Sequence, residues 1–277
     1  MLSTLVRAYK NGISVELRIP YSRTNLSLED KNLVNEALDS GWISNGIFVD
    51  KFSEQISQYF DGAHTVLRSN GTSALALAYL SLGLKPGDEV IFPGFAFMAG
   101  ANLAKQMNME AKFSDVSEET FCMDPQSLLK VITKSTRAVV AVHNYGNTDD
   151  IAEIREICNH FSVDLIEDCA ESPGTLYNNK KLGTFGKVAT FSFHSTKLVA
   201  CGEGGALITD SEEISNQAEL WRSHGIKRRT KHFTSSIDKS PSQDYDYYHE
   251  LPGNNFRMTN ILAALGYSQM QRIEDEI

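Results

Sequence analysis

VDLIEDCAESPGTLYNNKKLGTFGKVATFSFHSTKLVACGEGGALITD, residues Val163–Asp210, decides how the chain is read. Its first apolar run, Val163 to Glu167, ends in Asp168. A second run, Val188 to Phe193, passes through Ser192, His194 and Ser195 to Lys197. The glycine cluster Gly202-Glu203-Gly204-Gly205 then turns the chain into a third run, Ala206 to Thr209. These runs are four to six residues long, bounded by turn residues and too short for helices, so they predict buried strands. Glycine at 202, 204 and 205 predicts a turn built on positive φ angles. It does not predict a nucleotide loop, since no G-x-G-x-x-G opens a helix here.

Outward from that stretch, short apolar runs alternate with helical patterns. Further strands are expected at His64–Arg68, Glu89–Phe92, Glu110–Ser114 and Ala138–Val142. Helices are expected at Thr72–Leu82, Phe97–Met107, Pro125–Ile132, Ile151–Phe161 and Glu212–His224. Such alternation predicts an α/β fold, a three-layer α/β/α domain around a mostly parallel seven-stranded sheet. Near the start, Ser27 opens a helix with Leu33, Val34 and Leu38 on one face. A second helix carries Phe52, Ile56 and Phe60 at helical spacing. Lys227 to His249 is polar, charged and aperiodic, and reads as a long functional loop. A final helix is expected from near Met258.

Composition narrows the function classes. The chain has 277 residues, 42% hydrophobic and 22% charged, as an ordinary globular protein does. A net charge of −9 speaks against a nucleic-acid partner, which wants a basic face. No stretch reaches transmembrane length, so no membrane role is expected. Cys122, Cys158, Cys169 and Cys201 have neither metal-finger spacing nor the density of a disulfide framework, which implies a reducing, cytoplasmic setting and no metal.

An acid at one strand's end and a lone lysine after another suit one cofactor well. Pyridoxal 5'-phosphate needs a lysine amine for its Schiff base and a carboxylate to keep its ring nitrogen protonated. Ser69-Asn70-Gly71-Thr72-Ser73 follows a strand and opens a helix, a ready anion site for a phosphate. Singly, each feature has a plainer reading. Most lysines are surface residues, Asp168 could cap a helix, and Phe97 could be core packing. Ser192 could be a buried hydroxyl bonded to backbone, Glu171 a solvated first-turn acid, and Asn255 a loop residue before a helix.

Taken in order, the motifs resemble one family. FSFHSTKLVACGEGGALIT (191–209) looks like the lysine motif of the DegT/DnrJ/StrS sugar aminotransferases, of the aspartate-aminotransferase fold type I. IEDCAESPGTLYNNKKLGTFG (166–186) looks like their aspartate motif. The likeness extends from IPYSRTNLSLEDKNLVNEALDSGWISNG (19–46) to GNNFRMTNILAALGYSQMQRI (253–273). It implies that Lys197 and Asp168 are catalytic, with Lys197 carrying the Schiff base and Asp168 at the pyridine nitrogen. Gly71, Thr72 and Ser192 would contact the phosphate, and Phe97 would stack on the ring. Glu171 would lie near the ring oxygen, where relatives often have histidine or glutamine. Asn255 would reach across a homodimer to the neighbour's phosphate. His143 and Asn144 would line the site. Arg257 could bind substrate anion or form a structural ion pair. Ala96 replaces a family threonine and removes a polar contact.

The resemblance also implies a division of the chain. Residues 1–18 would be an extension, 19–250 the cofactor-binding large domain, and 251–277 the start of a C-terminal region whose small domain is largely missing. The implied reaction moves an amino group from L-glutamate to a keto sugar, nucleotide-linked and 4-keto-6-deoxy, for polysaccharide or deoxysugar synthesis. Rivals are a pyridoxamine-dependent dehydratase, an aminotransferase on a cyclitol ketone, and a catalytically silent cofactor-binding or regulatory protein. Family dehydratases carry histidine where Lys197 stands, so lysine favours transamination.

Overall fold

A computed structural model describes residues 20–148, 151–226 and 248–277. The expected extension at 1–18 lies outside the described residues, as does the expected loop at 227–249 but for its last two residues. Helices α1 (Leu28–Asp39) and α2 (Ile47–Tyr59) precede β1 (His64–Arg68). There follow α3 (Gly71–Ser81), β2 (Glu89–Pro93), α4 (Ala99–Gln106), β3 (Glu110–Ser114), α5 (Pro125–Val131) and β4 (Thr136–Val142). Next come α6 (Ile151–Phe161), β5 (Asp164–Asp168), the small hairpin β6 (Leu176–Tyr177) and β7 (Lys180–Lys181), β8 (Val188–Ser192), β9 (Gly205–Thr209) and α7 (Glu212–Arg222). The chain closes with α8 (Asn260–Met270) and the short α9 (Ile273–Glu276).

Seven strands form one sheet in the order β1-β9-β8-β5-β4-β2-β3. The pairs β8–β5, β5–β4, β4–β2 and β2–β3 are parallel. Only β9 runs against its neighbours, β1 and β8. The reason is local. The link from β8 to β9 contains no helix, and without a crossover the chain can only fold back beside the strand it has left. Each sheet face is covered by its own buried cluster. Phe52, Ile56, Phe191 and Phe193 lie on one face, and Leu77, Tyr79, Val90 and Phe92 on the other. Helix α3 is buried along Ser73–Tyr79, which explains why it is apolar all round rather than striped.

Two expectations are revised. Helix α1 buries Asp30 and Ala37, while Leu38 is exposed and Leu33 is only partly covered. The polar face turns inward because Asp30 has partners there. Arg272 donates to both of its oxygens at 3.0 and 3.2 Å, and Gln269 donates at 2.9 Å. In the glycine cluster only Gly202 has a positive φ, +91°. Gly204 and Gly205 are needed for closeness instead. A Cβ on Gly205 would lie 2.6 Å from the Asn70 carbonyl, and one on Gly204 would lie 2.7 Å from the Cys201 sulfur.

Candidate active site

The parallel strands deliver their carboxyl ends to one edge of the sheet, where an α/β fold places ligands. β5 ends at Asp168, whose register partner on β4 is Val142. β8 ends at Ser192, and the chain reaches Lys197 in the following turn, where the Lys197 N–H donates to the His194 carbonyl at 2.9 Å. β4 runs into His143, Asn144 and Tyr145, β2 into Phe95 and Phe97, and β1 into the Ser69–Ser73 turn.

Lys197 is one-fifth exposed, and its Nζ donates to Glu171 Oε1 at 3.0 Å. The second Glu171 oxygen accepts the Tyr145 N–H at 3.1 Å. Burial pushes the Glu171 carboxyl up. The Tyr145 N–H and the Lys197 ammonium outweigh it and leave Glu171 below the ordinary glutamate range. Tyr145 adopts φ +56°, a left-handed conformation rare for a bulky residue.

Asp168 accepts the Ala170 N–H at 3.1 Å. Burial pushes its carboxyl above the ordinary aspartate range. The Ala170 N–H, His143 and Lys197 pull it down, and Glu171 adds to the rise, but burial wins. Asp168 and Phe97 line the same cleft, together with Ala96, Val140 and Val142. Phe97 is 86% exposed, a large apolar ring left open to a ligand.

At the anion turn, Asn70 caps α3. Its side chain accepts the Ser73 N–H at 2.8 Å, and the Ser73 hydroxyl accepts the Asn70 N–H at 3.2 Å. Helix geometry leaves the Gly71 and Thr72 N–H groups with no intrahelical acceptor. Gly71 sits against Ser192 so closely that a Cβ on it would lie 2.8 Å from the Ser192 Cβ. Two residues more than a hundred positions apart thus share one cradle at a helix N-terminus. Asn255 is exposed, and the neighbouring Phe256 carbonyl accepts the Ser69 N–H at 2.9 Å, which brings that segment to the same turn. Arg257 donates to the Ser223 hydroxyl at 3.0 Å.

His143, expected to line the site, meets a buried acid. It is buried, and its Nε2 pairs with Glu167 at 3.0 Å. Glu167 also accepts the N–H groups of Gly183, Phe185 and Gly186 at 2.6 to 2.8 Å. Burial works against its charge, but His143 and these amides hold the Glu167 carboxyl below its ordinary range. Asn144 ties two loops together by donating to the Phe95 and Phe121 carbonyls at 3.0 and 2.7 Å. Sequence reasoning missed Glu167 and Tyr145. For Glu167 a signal existed, because an acid inside a central strand must find partners when buried.

The family model for the DegT/DnrJ/EryC1/StrS aminotransferases matches residues 25–277. The chain is 35% identical over 257 residues to the GDP-perosamine synthase of Vibrio cholerae, an alignment covering 92% of this chain and 66% of that protein. Its fold is similar to that of Helicobacter pylori PseC, an aminotransferase of pseudoaminic acid biosynthesis. The TM-score is 0.85 at 28% identity, over 94% of this chain and 67% of the other. It is also similar to the E. coli GDP-4-keto-6-deoxy-D-mannose-3-dehydratase solved with bound hydrated PLP. There the TM-score is 0.83 at 29% identity, over 94% and 69% of the two chains. The chain therefore spans about two thirds of the length of the relatives it matches. With a family match over nearly all of its length and a fold shared with solved relatives, the chain belongs to the DegT/DnrJ/EryC1/StrS aminotransferase family.

Proposed function

We propose that the protein is a pyridoxal-phosphate aminotransferase that moves an amino group from L-glutamate to a nucleotide-linked keto sugar. The observation that carries this reading is the meeting of Lys197, Asp168 and Phe97 at one sheet edge beside the Gly71–Ser192 cradle. These residues fit the cofactor. The cradle offers free amides and hydroxyls to a phosphate. The exposed Phe97 ring offers a stacking face. Asp168 is a half-buried carboxylate short of positive charge, and a protonated ring nitrogen would supply it. Pyridoxal phosphate, when bound, supplies the electron sink that lets an amino acid lose its α-proton.

The chain's own residues do the rest. Gly71, Thr72 and Ser192 would hold the phosphate, and Phe97 would stack on the ring. Asp168 would keep the ring nitrogen charged, and Glu171 would lie near the ring oxygen. Lys197 would hold the cofactor through its amine, and that amine, when free, would serve as general base and acid for the donor's α-proton. Asn255 serves the partner subunit's phosphate in a homodimer. Exposed Phe97 and Met98 at the cleft suit such burial.

A solved relative is a dehydratase, which motivates the second reading. The lysine at 197 speaks for transamination. Borohydride reduction followed by peptide mass tests the first reading: a pyridoxyl adduct on Lys197, lost in Lys197→Ala, is expected. L-glutamate should convert the wild-type visible imine band to the pyridoxamine form. An adduct elsewhere, or a band unmoved by glutamate, would overturn it. Light scattering is expected to show a dimer, and a monomer with full cofactor occupancy would remove the role given to Asn255.

A further inference from the structure

Glu171 is placed with more care than a ring-oxygen contact requires. One oxygen meets Lys197 Nζ at 3.0 Å and the other is anchored by the Tyr145 N–H at 3.1 Å. That N–H is aimed by a left-handed residue, Tyr145 at φ +56°, followed by Gly146 at φ +74°. A non-glycine residue is strained there, and such strain persists where the surroundings over-determine it. The surroundings do so here. Asn144 is pinned to Phe95 and Phe121, the His143 N–H bonds the Asp168 carbonyl at 3.1 Å, and the Thr175 hydroxyl donates to the Gly146 carbonyl at 3.3 Å. The strained turn therefore fixes a carboxylate beside a lysine whose amine must repeatedly come free.

We infer that Glu171 is a positioning residue that receives the Lys197 amine whenever that amine is not covalently engaged. A four-carbon side chain has many rotamers. Losing its covalent partner would let the amine wander unless an anion held it. The ion pair supplies that hold and keeps Nζ at the sheet edge beside Asp168. The other titratable groups nearby are Asp168 and His143 at the adjoining strand ends and the His194–Glu203 pair on the lysine's own loop. None of these has a hydrogen bond to Nζ.

This inference rests on Lys197 being the reactive lysine, and its test separates the two. The apoprotein, wild type and Glu171→Gln, is treated briefly with acetic anhydride at neutral pH, and acetylation of each lysine is followed by peptide mass. Glutamine keeps the size and the bond from Tyr145 but removes the charge. An amine released from its charge-assisted bond is more open to the reagent, so acetylation at Lys197 should rise roughly tenfold in Glu171→Gln while other lysines are unchanged. In the loaded protein, the pH midpoint of the visible imine band should fall, and the single-turnover rate with L-glutamate should fall by about 10²-fold from the misplaced amine. Glu171→Asp, which keeps the charge, should restore part of each. Equal acetylation and an unmoved midpoint in Glu171→Gln would overturn the inference even with a pyridoxyl adduct on Lys197. Absence of that adduct, with acetylation still rising, would instead overturn the assignment of Lys197 and leave the ion pair standing.

Discussion

Asp168 shows how one side chain can serve function against stability. Burial raises its pKa, so the folded protein binds its proton more tightly than the unfolded chain does. The sign follows: apoprotein stability falls as pH rises from the ordinary aspartate value through the raised one. At neutral pH the ionised carboxylate is therefore a net cost. Asp168→Asn should raise the denaturant midpoint of the apoprotein at pH 7 while lowering the half-reaction rate by at least ~10²-fold. Urea titration and single-turnover absorbance measure the two effects separately. At this scale Lys197 and Asp168 stood out in the sequence as candidates because their residue types and order suit the proposed chemistry. The partners of Glu167 were not, since they come from a turn some 16 to 19 residues away whose approach no local pattern encodes.

Between elements, α1 and α8 are held by Asp30, which is 1% exposed and paired with Arg272. Burial acts against its charge, yet the bonds from Arg272, Ser268 and Ser27 hold its pKa at about 2. A depressed carboxylate stabilises above its ordinary value of 3.8 and loses that contribution as pH falls toward 2. Asp30→Ala should cost about 3 kcal/mol at pH 7, because it strands Arg272 and Gln269 as well as removing the pair. The difference from wild type should shrink by on the order of 2 kcal/mol between pH 5 and pH 2, read from denaturant midpoints. At the other end of the sheet, β9 meets the α3 cap through Gly205. Gly205→Ala should cost ~1–3 kcal/mol, since the clash is with backbone and cannot be relieved by a rotamer. It should also weaken pyridoxal-phosphate affinity by disturbing the Asn70 turn, as a fluorescence titration would report. The glycines were visible in the sequence, but their reason was not. A turn and a close approach look alike until the neighbouring backbone is in place.

Taken whole, the molecule is a sheet with two separate apolar faces whose strand ends converge on one edge. A ligand bound there touches β1, β2, β5 and β8 at once, so cofactor binding should stabilise the entire fold. Pyridoxal phosphate at 100 times its dissociation constant should add about 2.7 kcal/mol, seen as a rise in Tm. In Lys197→Ala, which loses the covalent bond but keeps the phosphate cradle, the rise at the same concentration should be smaller. Among the described residues no helix is long and apolar enough to cross a membrane.

The order of strands and helices and the parallel character of the sheet were set by the sequence itself, and its motifs are what single out Lys197 and Asp168 for the roles proposed here. Periodicity, turn residues and residue chemistry are local, and a parallel α/β sheet leaves few ways to connect them. Tertiary structure alone decided which faces of α1 are buried, why Gly204 and Gly205 are glycine, that His143 supports Glu167, and that Glu171 holds Lys197. Each of these depends on atoms far apart in the chain arriving within about 3 Å. Only packing, which balances burial against charge and hydrogen bonding across the whole core, determines that distance.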